Sequence, residues 1–146
     1  LHQEQTDNTD GMDVCLCKIE KSETGATVSF TGAKNPLFVY QNDKSELLRL
    51  RGDKKAIGGH HFQDLTFTQQ KLTLQKGDML YFTTDGFIDQ NNKKRKKITT
   101  LGLMNLLKKG HDKSLTTQRK LLENELDTWQ GEEKQRDDIT ILGVRI

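Results

Sequence analysis

Residues 76–90 read KGDMLYFTTDGFIDQ, and the fold turns on how they are read. Gly77-Asp78 is a turn signal. Met79, Leu80, Tyr81, Phe82, Thr83 and Thr84 form an apolar, aromatic and β-branched run suited to a buried strand. Asp85-Gly86 ends that run, and Asp89 follows. A carboxylate at the end of a buried strand is held rigidly at the surface, and the glycine beside it lets the backbone turn tightly.

Upstream, residues 1–10 are polar and aperiodic, as at a helix end followed by a loop. Residues 11–20 place apolar groups on both faces and predict a strand covered on both sides. A turn at 21–25 leads to a second strand at 26–31, antiparallel to the first. Residues 32–36 are a loop holding the only proline, Pro36. Strands follow at 37–40 and 46–50, then a long loop at 51–61. Residues 65–74 alternate with one change of phase, which predicts a bulged edge strand or two short strands.

Downstream, 91–97 is a charged loop. Residues 98–109 carry a helical pattern with Gly110 as its C-cap. Ser114 opens a second helix with Leu115, Leu122, Leu126 and Trp129 on one face. Residues 131–138 lead into a last strand at 139–146. Strands joined by tight turns, then two helices, then a strand predict an α+β layered domain with an antiparallel sheet, spanning 1–146.

The totals agree with one domain of lean core. Of 146 residues, 32% are hydrophobic and 30% charged, with a mean hydropathy of −0.78. Net charge is +2, so nothing global favours nucleic acid or a membrane surface. No apolar run approaches the roughly 20 residues of a membrane span. Cys15 and Cys17, the only cysteines, lie about 6–7 Å apart along one strand face. That spacing is poor for a disulfide and points to a reducing, cytoplasmic setting.

Carboxylates gather at two strand ends. Asp85 and Asp89 follow one strand, and Asp137-Asp138 precede another. If those strands are antiparallel neighbours, Asp85 and Asp137 face one spot. Hard cations such as Mg²⁺ or Mn²⁺ take oxygen ligands in octahedral geometry. The alternative reading is a simple Asp-Gly turn beside a solvated acidic pair.

Several segments, in order, resemble the SpoIIE-like branch of the metal-dependent PPM serine/threonine protein phosphatases. They are DGMDV at 10–14, VSFTGAKNPLFVY at 28–40, Ile57-Gly58, LQKGDMLYFTTDGFID at 74–89 and QRDDITILGVRI at 135–146. The resemblance implies an antiparallel β-sandwich flanked by helices, with two Mn²⁺ or Mg²⁺ ions activating a water against a phosphoserine or phosphothreonine. By match, Asp85 and Asp137 are metal ligands. Asp138, Gly86 and Arg136 are then candidates to support those ligands or meet the substrate. The resemblance also implies a bacterial, cytoplasmic signalling role, as the output domain of a larger sensor. Its expected partner is a phosphorylated protein of the anti-anti-sigma factor type, with no nucleic acid and no membrane involved.

The family's upstream motifs, a GD strand end bridging both metals and a D-x-SGHG-like turn, are not found. The chain is therefore expected to be the C-terminal part of the domain, lacking N-terminal strands and a helix. An exposed apolar surface, covered by dimerisation, is a further expectation. A non-catalytic pseudophosphatase serving as a binding or switch module is the alternative. The family's AGHNP-like loop carries Ala33-Lys34 where histidine is common.

The remaining features read more plainly. Cys15 and Cys17 are read as buried small hydrophobes, against a soft-metal pair. His60-His61 are read as a solvated loop, against a metal or phosphate site, and KKRKK at 93–97 as a solvated basic run, against a patch for nucleic acid or an acidic substrate. Arg136 contacts either a substrate phosphate or a neighbouring carboxylate. Trp129 anchors a helix on the sheet.

Overall fold

A computed structural model of the chain describes residues 10–58 and 66–146. In chain order the strands are β1 (Gly11–Met12), β2 (Val14–Lys21), β3 (Gly25–Ala33), β4 (Leu37–Gln41), β5 (Glu46–Leu50), β6 (Ile57–Gly58), β7 (Gln69–Gln75) and β8 (Met79–Thr83). Three helices follow, α1 (Gly86–Asp89), α2 (Thr99–Gly110) and α3 (Leu115–Gln130), then β9 (Ile141–Arg145). A three-stranded sheet runs β2-β3-β7 and a four-stranded sheet runs β5-β4-β8-β9, while β1 pairs with β6. Every strand pair is antiparallel.

Alternation along the strands builds two cores. Val28, Phe30 and Leu74 of the smaller sheet meet Leu37, Val39 and Leu80 of the larger one, with Cys15, Cys17 and Ile19 packed beside them. The opposite face of the larger sheet presents Phe38, Tyr40, Met79 and Tyr81 to Phe87, Leu103 and Leu107. Each such side chain contributes about 1.5–3 kcal/mol when fully buried. The result is a β-sandwich with helices packed on the outer face of one sheet.

That layering corrects several expectations. β2 is covered on one side, because Leu16 is 64% exposed and pairs with Thr31 on the polar outer face. The 51–61 loop contains β6, and His60-His61 and Leu65 lie outside the described residues, as does the predicted helix end before residue 10. β7 begins at Gln69, so the change of phase marks where the strand starts. Gly110 is the last residue of α2 and His111 its C-cap. Gly110 is buried, and a Cβ there would make ordinary contacts at 3.4 Å with Leu121 and 3.5 Å with Gln118. Ser114 caps α3, its hydroxyl accepting from the Thr117 amide. Leu122, Leu126 and Trp129 pack on the core, whereas Leu115 is 46% exposed. The turn before β8 is as predicted. Gly77 has φ +94°, and the buried Asp78 accepts from the Asn42 and Gln75 amides.

A buried polar network clamps the α2–α3 connection to the larger sheet. The Tyr81 hydroxyl donates to Gln118 Oε1 at 2.8 Å. Gln118 Nε2 donates to the His111 and Lys113 carbonyls, which also accept from Arg145, while His111 stacks on Tyr40 at 3.9 Å. Burial pushes the Tyr81 phenol up to about 12, so it stays a donor at neutral pH. Gln118→Met leaves that buried hydroxyl without its acceptor, and the expected loss is about 2 kcal/mol in urea unfolding. An unchanged midpoint would refute this role.

Candidate active site

β8 ends at Thr83, and the chain turns through Thr84 and Asp85 into α1. Asp85 is the N-cap residue of α1, with φ −81° and ψ −14°. Its carboxylate does not cap the helix, and its carbonyl accepts from the Asp89 amide at 3.0 Å.

β9 lies antiparallel to β8, with Thr83 opposite Ile141. Thr84 extends this pairing toward the acidic residues. Its amide donates to the Thr140 carbonyl at 3.0 Å, and its hydroxyl accepts from the Thr140 amide at 2.9 Å. The same hydroxyl donates to the Asp138 carbonyl at 2.8 Å. Gly86 completes the close approach, since a Cβ there would lie 2.5 Å from the Asp138 carbonyl oxygen. Asp85, Gly86, Asp137 and Asp138 are therefore gathered at one end of the β8–β9 pair.

Gln90 holds the segment before Asp137 in place. It is fully buried. Its Nε2 donates to the Lys134 carbonyl at 3.1 Å, and its Oε1 accepts from the Arg136 amide at 3.2 Å. Its own carbonyl accepts from Trp129 Nε1 at 3.2 Å, which makes Trp129 the helix anchor that sequence predicted. Asp137 is further oriented by its neighbours. Its Oδ1 accepts from the Asp138 amide at 2.7 Å, and its carbonyl accepts from Gln135 Nε2.

Thr84 and Gln90 were not singled out from sequence. Thr84 reads there as one more β-branched strand residue, and a lone glutamine carries no motif. Asp89 leaves the cluster, because it pairs with Lys97 at 3.0 Å.

Asp85 also lines a cleft of about 220 Å³ shared with Asp13, Lys34 and Arg49. Lys34 Nζ lies 3.3 Å from Asp13 Oδ1. Among the described residues, no group of three or more His, Cys, Asp or Glu is arranged to hold a metal ion. The carboxylates fit a hard divalent cation in chemistry, since such an ion takes oxygen ligands and is commonly held by one or two carboxylates with waters.

The cysteines play no part here. Both are free and pack on the inner core. Their mutual hydrogen bond pushes the Cys15 thiol up and the Cys17 thiol down, and among the described residues no group of three or more metal-ligating side chains includes them. The basic loop at 93–97 is solvent-exposed, with Asn92 Oδ1 accepting from the Lys94 and Lys96 amides.

Comparison with known proteins bears on this arrangement. The SiaA-PP2C domain of Pseudomonas aeruginosa is 31% identical with a TM-score of 0.73, over 82% of this chain and 46% of that one. The PP2C phosphatase domain of SpoIIE from Bacillus subtilis, with a fragment of its regulatory domain, is 22% identical with a TM-score of 0.63, over 84% of this chain and 34% of that one. A Mn-presoaked crystal of the Bacillus subtilis SpoIIE phosphatase domain is 16% identical with a TM-score of 0.62, over 90% of this chain and 56% of that one. The chain thus spans roughly a third to just over half of these structures. Comparison with curated protein sequences gives no match. The sequence profile of stage II sporulation protein E matches residues 1–146. With that match over its whole length and a fold shared with PP2C phosphatase domains, the chain belongs to the SpoIIE family.

Proposed function

We propose that the complete protein is a metal-dependent phosphoserine/phosphothreonine phosphatase of bacterial signalling, and that this chain supplies Asp85 and Asp137 to its metal site. The observation that carries the reading is the β8–β9 pairing, which sets the two acidic turns side by side. Two Mn²⁺ or Mg²⁺ ions, when bound, lower the pKa of a water and neutralise charge on the phosphoryl oxygens. The chain's own residues do the positioning. Thr84 locks the end of β8 to the segment bearing Asp137 and Asp138, and Gln90 holds residues 134–136 from beneath. The Asp138 amide orients the Asp137 carboxylate. Arg136, in the same segment, is proposed to meet the substrate phosphate. The substrate is proposed to be a cytoplasmic phosphoprotein of the anti-anti-sigma type. Among the described residues no helix is long and apolar enough to cross a membrane.

The test is Mn²⁺-dependent hydrolysis of p-nitrophenyl phosphate and of a phosphoserine protein by the full-length protein. Turnover that needs the metal is expected. No turnover, with binding to the phosphoprotein retained, would favour the non-catalytic switch instead. Two aspartates cannot satisfy two octahedral ions. Calorimetric titration of the 146-residue chain should therefore show much weaker Mn²⁺ binding than the full-length protein. Two sites of micromolar affinity in this chain alone would overturn that expectation.

A further inference from the structure

A second cleft, of about 470 Å³, adjoins the one beside Asp85. The two share Lys34, Pro36 and Arg49 as walls. Together they form one groove that starts at Asp85 and runs out to Arg51 and Lys54. Four cations, Lys34, Arg49, Arg51 and Lys54, therefore line its course, against three carboxylates, Asp13, Asp53 and, at its inner end, Asp85. Asp53 is already engaged, its Oδ2 and Oδ1 accepting from the Thr68 amide and hydroxyl at 2.6 and 3.0 Å. Those bonds, the amide first, hold its carboxyl below the usual carboxylate range, so Asp53 keeps its charge with both oxygens turned to Thr68. Lys34 leans on Asp13 at 3.3 Å, a partly solvated contact that an incoming anion can replace at little cost. Arg49, Arg51 and Lys54 are exposed.

The groove is built on rigid backbone. Ala33 and Asp53 form a parallel bridge. The Lys34 amide donates to the Asp53 carbonyl at 2.7 Å, and the Asp53 amide donates to the Gly32 carbonyl at 2.8 Å. Gly32 and Gly52 let the two strands of backbone touch, since a Cβ on Gly52 would lie 2.8 Å from the Gly32 carbonyl. Lys34 is held at φ +57°, a conformation rarely adopted by a residue with a side chain. Observed strain of this kind, over-determined by its surroundings, is characteristic of binding sites.

We propose that this groove binds an acidic segment of the protein substrate flanking its phosphoresidue. The proposal rests on the phosphatase reading for the position of the phosphate at Asp85, and it adds the sequence context that the substrate must carry. The groove is continuous with Asp85, with Lys34 and Arg49 lining both of its clefts and Arg51 and Lys54 only the outer one. A nucleic acid would need a wider basic face than the chain's net charge of +2 provides. The basic run at 93–97 does not compete for this role, because its own cleft also carries Glu125, Glu132 and Glu133.

The test uses the full-length protein and two fluorescein-labelled, non-phosphorylated decapeptides, one rich in Glu and Asp and one with Gln and Asn in their place. Fluorescence polarisation at about 0.05 M salt should show at least tenfold tighter binding of the acidic peptide, shrinking toward parity at about 0.3 M. R49E/R51E should erase the preference, as should the milder R49Q/R51Q. K93E/K94E should keep it. Equal binding of both peptides by the wild type, or an unaltered preference in R49E/R51E, would sink the proposal. So would a single-stranded DNA oligonucleotide that binds as tightly as the acidic peptide. This readout does not need turnover. Phosphoserine versions of the same two decapeptides are assayed separately for hydrolysis, and if the wild type hydrolyses neither, the phosphatase reading fails while the peptide-binding result stands by itself.

Discussion

Asp85→Asn in the full-length protein is expected to lower Mn²⁺-dependent turnover of p-nitrophenyl phosphate by about a hundredfold or more. Asn keeps the size of the side chain and removes the charge that neutralises a divalent ion. Even residues that merely orient ligands cost 10–100-fold in metal affinity or activity when changed, so a direct ligand should cost at least the top of that range. Asp137→Asn is expected to match it. The double variant should be little worse than either single one, because ligands of one site act as a unit. Both residues are exposed, so melting temperatures should stay near the wild-type value. Full activity in either variant would remove that residue from the site.

Gly86→Ala should be the most damaging conservative change near the site. Two effects oppose each other. Alanine in a helix gains up to about 1 kcal/mol over glycine, and less in the four-residue α1. Against that, the new Cβ would lie 2.5 Å from the Asp138 carbonyl oxygen, 3.0 Å from its carbonyl carbon and 3.0 Å from Ile139 Cγ1. Two of those neighbours are backbone atoms of the segment entering β9 and cannot rotate away. Relief requires that segment to move outward, stretching the bonds from Thr84 to Asp138 and Thr140. Overpacking of this kind costs about 1–3 kcal/mol, so clash wins over propensity. A net loss of about 2 kcal/mol in urea unfolding is expected, together with a fall in activity as Asp137 leaves its place. A wild-type unfolding midpoint would refute the packing account.

Much of this was legible in the chain because the relevant signals are local. The run from Met79 to Thr84 is apolar enough to demand burial, and Asp85-Gly86 marks its end. The antiparallel pairing of that strand with residues 141–145 followed only conditionally, and the structure supplies it. Other features were hidden for physical reasons. α1 is too short to show a helical period. Leu16 looks like a core residue in a strand of alternating apolar groups, yet burial depends on which face a second layer covers. Gly110 reads as a stop signal, and the helix ends one residue from the predicted place, with Gly110 as its last residue and His111 as its C-cap. Gln90 is invisible in sequence, because an amide becomes informative only once its partners at Lys134 and Arg136 are known. The basic groove is equally non-local, since Lys34 and Arg51 meet through backbone bonds between loops. Leu142, paired with Phe82, is 56% exposed, and a single exposed leucine is ordinary for a protein surface.

Thr84 and Asp138, joined by one hydroxyl, are 54 positions apart in the chain. Everything between them is the α1–α2–α3 excursion and its loops. Contacts of such long range are slow to form, because loop closure must precede any gain from pairing. The helices, whose contacts are local, are free to form earlier. β9 therefore docks late, and on a ribosome Asp85 would be translated, folded into its strand end and left waiting for its partner. A nascent chain halted before residue 137 would hold a finished β8 and only one of the two aspartates.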